Sequence, residues 1–352
     1  MAALVGAELE RLGYAVDVDA LGNVTGTLDA GAGPCVLLDA HMDTVGVTDP
    51  AAWSADPAGE LRDGRLYGRG SVDMKGPLAA LVHGAAAAPP GRGRVVVSAS
   101  IAEEMIEGYA TVAVARRVRP DAAVICEPSH RSVVVGQRGR AELVVQVEGR
   151  PAHSSRPDLG VNAVEAMADA LRAARAIDLP SHPRLGPAIL VPTEIASRPY
   201  PAYSVLPDQC TVTFDRRLVP GESEEDVLAA LQAVVDAAVA PHGAIGTVTI
   251  GVDRFHAYTG ALVEADNYAP AWHTGADAPI ARAALDALGG EPGYWPFCTN
   301  GSGTAALGIP TIGYGPGDET LAHRVDESIA LDELHAGARG YATLVGALTA
   351  GG

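Results

Sequence analysis

Lysine is almost missing from this 352-residue chain: Lys75 is the only one, and the rest of the Lys and Arg total is arginine. Positive charge is short altogether, with 25 Lys and Arg against 43 Asp and Glu for a formal net of −18. So acidic a chain repels phosphate backbones and anionic lipid surfaces, so neither nucleic acid nor membrane is an expected partner. Cysteine is scarce too, four residues at 35, 126, 210 and 298 with no CxxC pair. That spacing indicates neither a zinc knuckle nor a disulfide framework, and buried free thiols are expected. No apolar run approaches the roughly 20 residues that span a bilayer, and the opening MAALVGAELERLGYAV has no basic stretch leading into an apolar one. The expectation is a cytoplasmic protein. With 48% hydrophobic and 19% charged residues the composition excludes disordered, collagen-like and coiled-coil classes, and the length suits two domains.

The chain opens in what reads as an amphipathic helix, with Leu4, Leu9 and Leu12 at helical spacing. From there to residue 126, short apolar runs alternate with helix-period stretches. Val36 to Leu38, Arg94 to Ile101 and Ala122 to Cys126 read as strands, Pro77 to Ala88 and Gly108 to Val118 as helices. That alternation predicts an α/β unit with helices packed on a sheet. Between about 138 and 251 the rhythm changes. Strands at Ala141 to Glu148, Ala188 to Ile195, Cys210 to Arg216 and Thr247 to Val252 interleave with helices at Val161 to Ala176 and Ser223 to Val239, a split βαββαβ module. The α/β rhythm then resumes with a helix at Pro279 to Leu288, a strand at Ile309 to Tyr314 and a closing helix at Leu331 to Leu348. The expected organisation is a catalytic domain in two pieces, 1–137 and 252–352, with a second domain inserted at 138–251.

Chemistry-capable residues cluster just past the apolar runs, where open α/β sheets place their sites. Leu37-Leu38-Asp39-Ala40-His41-Met42-Asp43 runs from a strand into a His-x-Asp pair, in which Asp43 can orient an imidazole that binds a metal through its other nitrogen. A solvated turn pair has the same spacing. Gly68-Arg69-Gly70-Ser71-Val72-Asp73 crowds glycines around Asp73. A phosphate cradle would need a third glycine and no central acid, whereas a carboxylate in a tight loop suits a cation. Glu103-Glu104 follow the next strand and Glu127 the one after, and His323 sits in a polar loop late in the chain. Adjacent acids are either solvated or neutralised by a cation; Glu127 also reads as a helix cap and His323 as a surface histidine. Taken together, two imidazoles and several carboxylates form a set that suits zinc or a similar divalent ion, with one aspartate able to bridge a pair.

In order along the chain, LLDAHMDTV, GRGSVDMKG, AEE, CEP, GRPAHSSRPDLGVNAV and GIPTIGYGPGDETLAHRVDE resemble the di-zinc aminoacylase and carboxypeptidase superfamily. That superfamily includes acetylornithine deacetylase, succinyl-diaminopimelate desuccinylase and bacterial glutamate carboxypeptidase. The resemblance implies a discontinuous α/β catalytic domain, its mixed sheet flanked by helices, and an inserted ferredoxin-like dimerisation or lid domain. It makes His41, Asp73 and Glu127 ligands of one metal and Asp73, Glu104 and His323 ligands of the other, with Asp73 bridging. Asp43 would orient His41, and Glu103 would be the general base. His153 would reach the active site of the partner in a homodimer and stabilise the oxyanion. Arg216 would grip the substrate carboxylate, and Gly301-Ser302-Gly303 would form a substrate loop. The two divalent ions per chain would be zinc, with cobalt or manganese as alternatives. Ser204 and Thr304 depart from the residues many relatives carry, Asn before the Ile-Pro and Asp after the glycine loop. The implied reaction is hydrolysis of the amide of an N-acyl-amino acid, a small molecule with a free carboxylate. A carboxypeptidase or dipeptidase activity is the alternative, and a non-catalytic binding module is an alternative of another class.

Overall fold

The computed structural model describes residues 1–350. The chain divides into two compact units, one of Met1–Gln137, Arg254–Glu264 and the chain from Trp272 on, the other of Arg138–Asp253 and Ala265–Ala271. The first is built on a nine-stranded mixed sheet. Its centre is strand Cys35–His41, buried at all seven positions. This strand pairs in parallel with Arg94–Ser100 on one side and Ala122–Ile125 on the other. Valine-rich runs without polar alternation are what a parallel strand covered on both faces requires. Thr311–Gly313 continues the parallel set beside Ala122–Ile125. Val24–Asp29 pairs antiparallel with Arg94–Ser100. On one face Cys35, Leu37, Val96 and Ala123 pack with Val114 and Ala115 of helix Tyr109–Val118. The alternate residues Val36, Leu38 and Val97 point to the other face by the two-residue period of a strand. Helices Lys75–Ala87 and Leu331–Thr349 lie against each other so closely that a Cβ on Gly84 would strike the main chain of Ala338. Among the described residues no helix is long and apolar enough to cross a membrane.

The register sets up the site. His41 is opposite Ser100 and Asp39 opposite Ile125. The carboxyl ends of the three central strands therefore share one edge, and residues just past them converge. The helices expected from periodicity occur as Lys75–Ala87, Tyr109–Val118, Pro279–Leu288 and Leu331–Thr349. Sequence pattern gives no warning of the hairpin Ala15–Val18 and Val24–Asp29, nor of the sheet formed by Glu60–Arg62, Arg65–Tyr67 and Ser328–Ala330. These runs are too short and too mixed in polarity to carry a period.

In the second unit, antiparallel strands stand in the order Ile189–Arg198, Gln209–Leu218, Gly139–Glu148, Ile245–Ile250. Burial alternates along the two central ones. The buried set, including Leu143, Val145, Val212 and Phe214, packs on Met167 and Ala170 of helix Ala163–Ala174 and on Leu231 and Val235 of helix Glu224–Val239. Both helices open on a polar cap: Asn162 accepts from the Val164 N–H and Ser223 from the Asp226 N–H. Tyr268–Ala269 pairs with Ala141 and Arg140, which draws residues 265–271 into this unit rather than into the flanking segment where spacing placed them. All four cysteines are buried and none is in a disulfide.

Candidate metal centre

His41 ends the central strand and is buried. Its Nδ1 lies 3.0 Å from the Asp43 carbonyl oxygen and 3.5 Å from the Asp43 carboxylate. Its Nε2 faces three acids: Asp73 Oδ1 at 3.0 Å, Glu127 Oε1 at 3.4 Å and Glu103 Oε2 at 3.8 Å. The Asp43 carboxylate has a second task, accepting the main-chain N–H groups of Glu103 (3.3 Å) and Glu104 (3.1 Å) and so fixing the turn that presents them. Asp73 sits just before helix Lys75–Ala87, and the peptide that follows it is cis. Its Oδ2 lies 3.0 Å from His323 Nε2, which is also 3.0 Å from Glu104 Oε2. One carboxylate thus gives one oxygen to each of two imidazoles. Candidate ligand atoms of His41, Asp73 and Glu104 lie within 4.8 Å of one another, as do those of His41, Glu103 and Glu127.

The electrostatics call for positive charge. Burial pushes the carboxyls of Glu103 and Glu127 well above the usual carboxylate range, with the neighbouring acids adding to the shift and His41 opposing it. Burial opposes charge on His41, but Glu127, Asp43, Asp73 and Glu103 outweigh it and hold the imidazole well above its ordinary value. Hydrogen bonds to Asp73 and Glu104 raise His323 to about 10. Burial would raise Asp73, yet the two imidazoles facing it bring its carboxyl below the usual range. Among the described residues no Arg or Lys pairs with Asp73, Glu103, Glu104 or Glu127. An oxygen-rich cluster with two imidazoles and no fixed cation fits a pair of divalent ions, and Asp73 is placed to serve both.

Some supporting residues were not legible beforehand. Asp39 is buried two positions before His41, and its Oδ2 accepts from Ser100 Oγ, Thr111 Oγ1 and Asn300 Nδ2 at 3.1, 3.1 and 2.9 Å. It ties the elements that surround the strand ends. Glu327 is fully buried and receives the main-chain N–H groups of Val72 and Asp73. An acid inside an apolar strand was the available signal for Asp39. Nothing in the polar run around Glu327 distinguishes it from its solvated neighbours.

His153 and Arg216 belong to the second unit. His153 is exposed, and its Nδ1 accepts the Ser155 N–H at 3.1 Å. Arg216 does not offer a free guanidinium. It is 4% exposed, on the buried face of strand Gln209–Leu218, and its donors go to the Glu222 carboxylate and to the Arg217 carbonyl at 2.7 Å. Strand parity puts Arg217 on the opposite face, half-buried and paired with Asp215 at 2.7 Å. The glycine loop also differs from its expectation. Gly301–Ala306 is a short buried helix whose first three amides are taken by Thr299 Oγ1, the Thr299 carbonyl and the Asn300 carbonyl. A Cβ on Gly303 would meet the Gly108 carbonyl, so close packing rather than substrate contact explains that glycine. Trp272 and Trp295 are buried packing residues.

The chain is similar to known proteins over most of its length. The model of the family described as Peptidase family M20/M25/M40 matches residues 37–347. A protein of Escherichia coli K12 described as uncharacterized protein YgeY is 32% identical over 96% of this chain and 86% of its own. Succinyl-diaminopimelate desuccinylase 2 of a Ruegeria species is 30% identical over 84% of this chain and 75% of its own. Acetylornithine deacetylase of Proteus mirabilis is 26% identical over 91% and 82%. Among solved structures, a tripeptidase of Staphylococcus aureus superposes with a TM-score of 0.74 at 18% identity, covering 99% of this chain and 92% of that one. A Bacillus subtilis protein described as a dinuclear metal binding peptidase gives 0.70 at 14% identity, covering 98% and 90%. These two show a likeness of fold.

Proposed function

The chain belongs to peptidase family M20/M25/M40, and from that premise we propose that it hydrolyses the amide bond of an N-acyl-amino acid, using two divalent ions, zinc by preference. The observation that carries this reading is the Asp73 carboxylate, one oxygen 3.0 Å from His41 and the other 3.0 Å from His323, with further acids behind each imidazole. His41, Asp73 and Glu127 would hold one ion, and Asp73, Glu104 and His323 the other. Bound there, the ions supply Lewis-acid polarisation of the scissile carbonyl and acidify a water toward neutrality.

The remaining chemistry belongs to the chain. Glu103 is not needed in either ligand set, and it is buried beside His41, 3.8 Å from its Nε2. It takes a proton from the water as oxygen attacks the carbonyl carbon, then gives it to the nitrogen as the C–N bond breaks. Asp43 holds the ring of His41 and the Glu103–Glu104 turn in place. Arg217, on the half-buried face of its strand, is the better candidate than Arg216 for a bidentate grip on the substrate carboxylate, which would replace Asp215 on its Nε and Nη2. His153 would donate to the developing oxyanion of a partner copy, in a homodimer formed through the second unit. The related deacylases support the acyl-amino-acid substrate class.

The test is a panel of N-acetyl- and N-succinyl-amino acids and dipeptides offered to metal-replete protein. Release of free amino acid from the acyl substrates is expected; cleavage of dipeptides alone would replace the deacylase reading by a dipeptidase, and no turnover with two ions bound would leave a binding module. Glu103→Gln should keep both ions and lose about 10²–10⁴-fold in kcat.

A further inference from the structure

We propose that Glu327 is a positioning residue for the dinuclear centre, clamping the Asp73 loop to the loop that carries His323; the inference rests on the metal reading above. Asp73 and His323 are 250 positions apart in the chain, yet the structure holds Asp73 Oδ2 3.0 Å from His323 Nε2. Something must fix the two loops against each other. The Asp73 loop leaves strand Arg65–Tyr67, and the His323 loop enters strand Ser328–Ala330. The two strands pair antiparallel, with Tyr67 opposite Ser328. That pairing delivers Glu327 directly against the loop that ends in Asp73, and the Glu327 carbonyl accepts the Gly68 N–H at 3.0 Å.

The side-chain contacts then run both ways. From the His323 side, Glu327 Oε1 accepts the N–H groups of Val72 at 3.0 Å and Asp73 at 3.1 Å. From the Asp73 side, Arg69 Nη1 donates to Glu327 Oε2 at 2.5 Å and Nη2 to the carbonyl of Arg324, the residue after His323, at 3.3 Å. The Arg69 guanidinium also lies 5.4 Å from the Trp53 ring. Glu327 is 0% exposed, so this carboxylate is satisfied inside the protein by two amides and a guanidinium. Charge-assisted bonds of this kind are short and directional. Glu327 aims none of its oxygens at the candidate ligand atoms. It acts on Asp73 through the main chain, setting where the bridging carboxylate stands relative to His323.

Outer partners of metal ligands typically contribute 10–100-fold in affinity, so the readout is binding, independent of turnover. Apo protein is titrated with Zn²⁺ against a chromophoric chelator and with Co²⁺ by its visible absorption, for wild type, Glu327→Gln and Glu327→Ala. Glu327→Ala should weaken binding about 10–100-fold and alter the cobalt spectrum. Glu327→Gln keeps an acceptor for the two amides and should recover most of that loss, a rescue that a general loss of packing would not produce. If Glu327→Ala does not fold by circular dichroism, Arg69→Met breaks the clamp from its other side and should weaken binding in the same direction. Wild-type affinity and an unchanged cobalt spectrum in the folded variants would overturn the role of Glu327. Failure of the wild type to bind either ion would instead overturn the metal reading on which it rests.

Discussion

The central strand of the first unit and that of the second show two ways of housing polar chemistry. Cys35–His41 is buried at every position, so its candidate reactive group can only stand at the strand end. Gln209–Leu218 alternates buried and half-buried along its length, and function there depends on which face a residue takes. In the first case an apolar run followed by a polar residue locates the site, and an error of one residue at the strand boundary does little harm. In the second, an error of one residue moves a side chain through the sheet. Arg216 and Arg217 are such a pair: adjacent, alike, and on opposite faces.

The strongest way to break the strand-end half of the comparison is Asp73→Ala. If the converging strand ends form one centre, removing the carboxylate shared by His41 and His323 should abolish binding of both ions and cut turnover by at least about 10⁴-fold. Elemental analysis of chelator-free protein together with an initial-rate assay checks this. Retention of one tightly bound ion would mean that the two imidazoles serve separate sites.

The parity half is tested by paired substitutions. Arg216→Met leaves Glu222, whose side chain is 11% exposed, without its buried partner. Breaking such a pair costs about 3–5 kcal/mol, measurable by urea unfolding, and KM of the folded enzyme should not move. Arg217→Met removes a half-buried pair with Asp215 and should barely change stability while raising KM about 10-fold or more, if its guanidinium meets the substrate carboxylate. A KM effect confined to Arg216→Met would reverse the assignment of faces.

What the sequence made legible follows the same division. His41, Asp73, Glu103, Glu104 and Glu127 stood out because each sits past an apolar run or in a glycine-crowded loop, His323, in a polar loop, stood out as a ligand through the family resemblance, and all six converge. The βαββαβ order of the second unit was readable from its change of period. Arg216 was expected to meet a substrate carboxylate, but a doubled arginine does not show which face of a strand each member takes, and Glu222, which pairs with Arg216, lies six residues on in a polar turn. Gly301-Ser302-Gly303 resembled an open loop, but nothing in a Gly-Ser-Gly run shows that its amides are already spent on Thr299 and Asn300. Asp39 and Glu327 are buried acids whose partners lie 61 to 261 residues away. Such pairings come from tertiary folding and have no local period.

The smallest expected effect separates stability from chemistry inside the second unit. Ser223 caps helix Glu224–Val239, its Oγ accepting the Asp226 N–H at 3.2 Å, and the side chain lies outside both faces of the alternating strands. Ser223→Ala should cost about 1 kcal/mol, because one helix-terminal N–H loses its acceptor while the acidic first turn of Glu224, Glu225 and Asp226 still suits the helix dipole. The same enzyme preparation should show wild-type metal content, kcat and KM. Arg216→Met should resemble this variant in kind and exceed it in size, since one loses exposed hydrogen bonds within a helix cap and the other leaves the mostly buried Glu222 carboxylate without its guanidinium. Were Ser223→Ala to raise KM as Arg217→Met is expected to do, the Arg217 effect would reflect loosening of the whole unit rather than loss of one contact, and the argument from strand parity would lose its functional support.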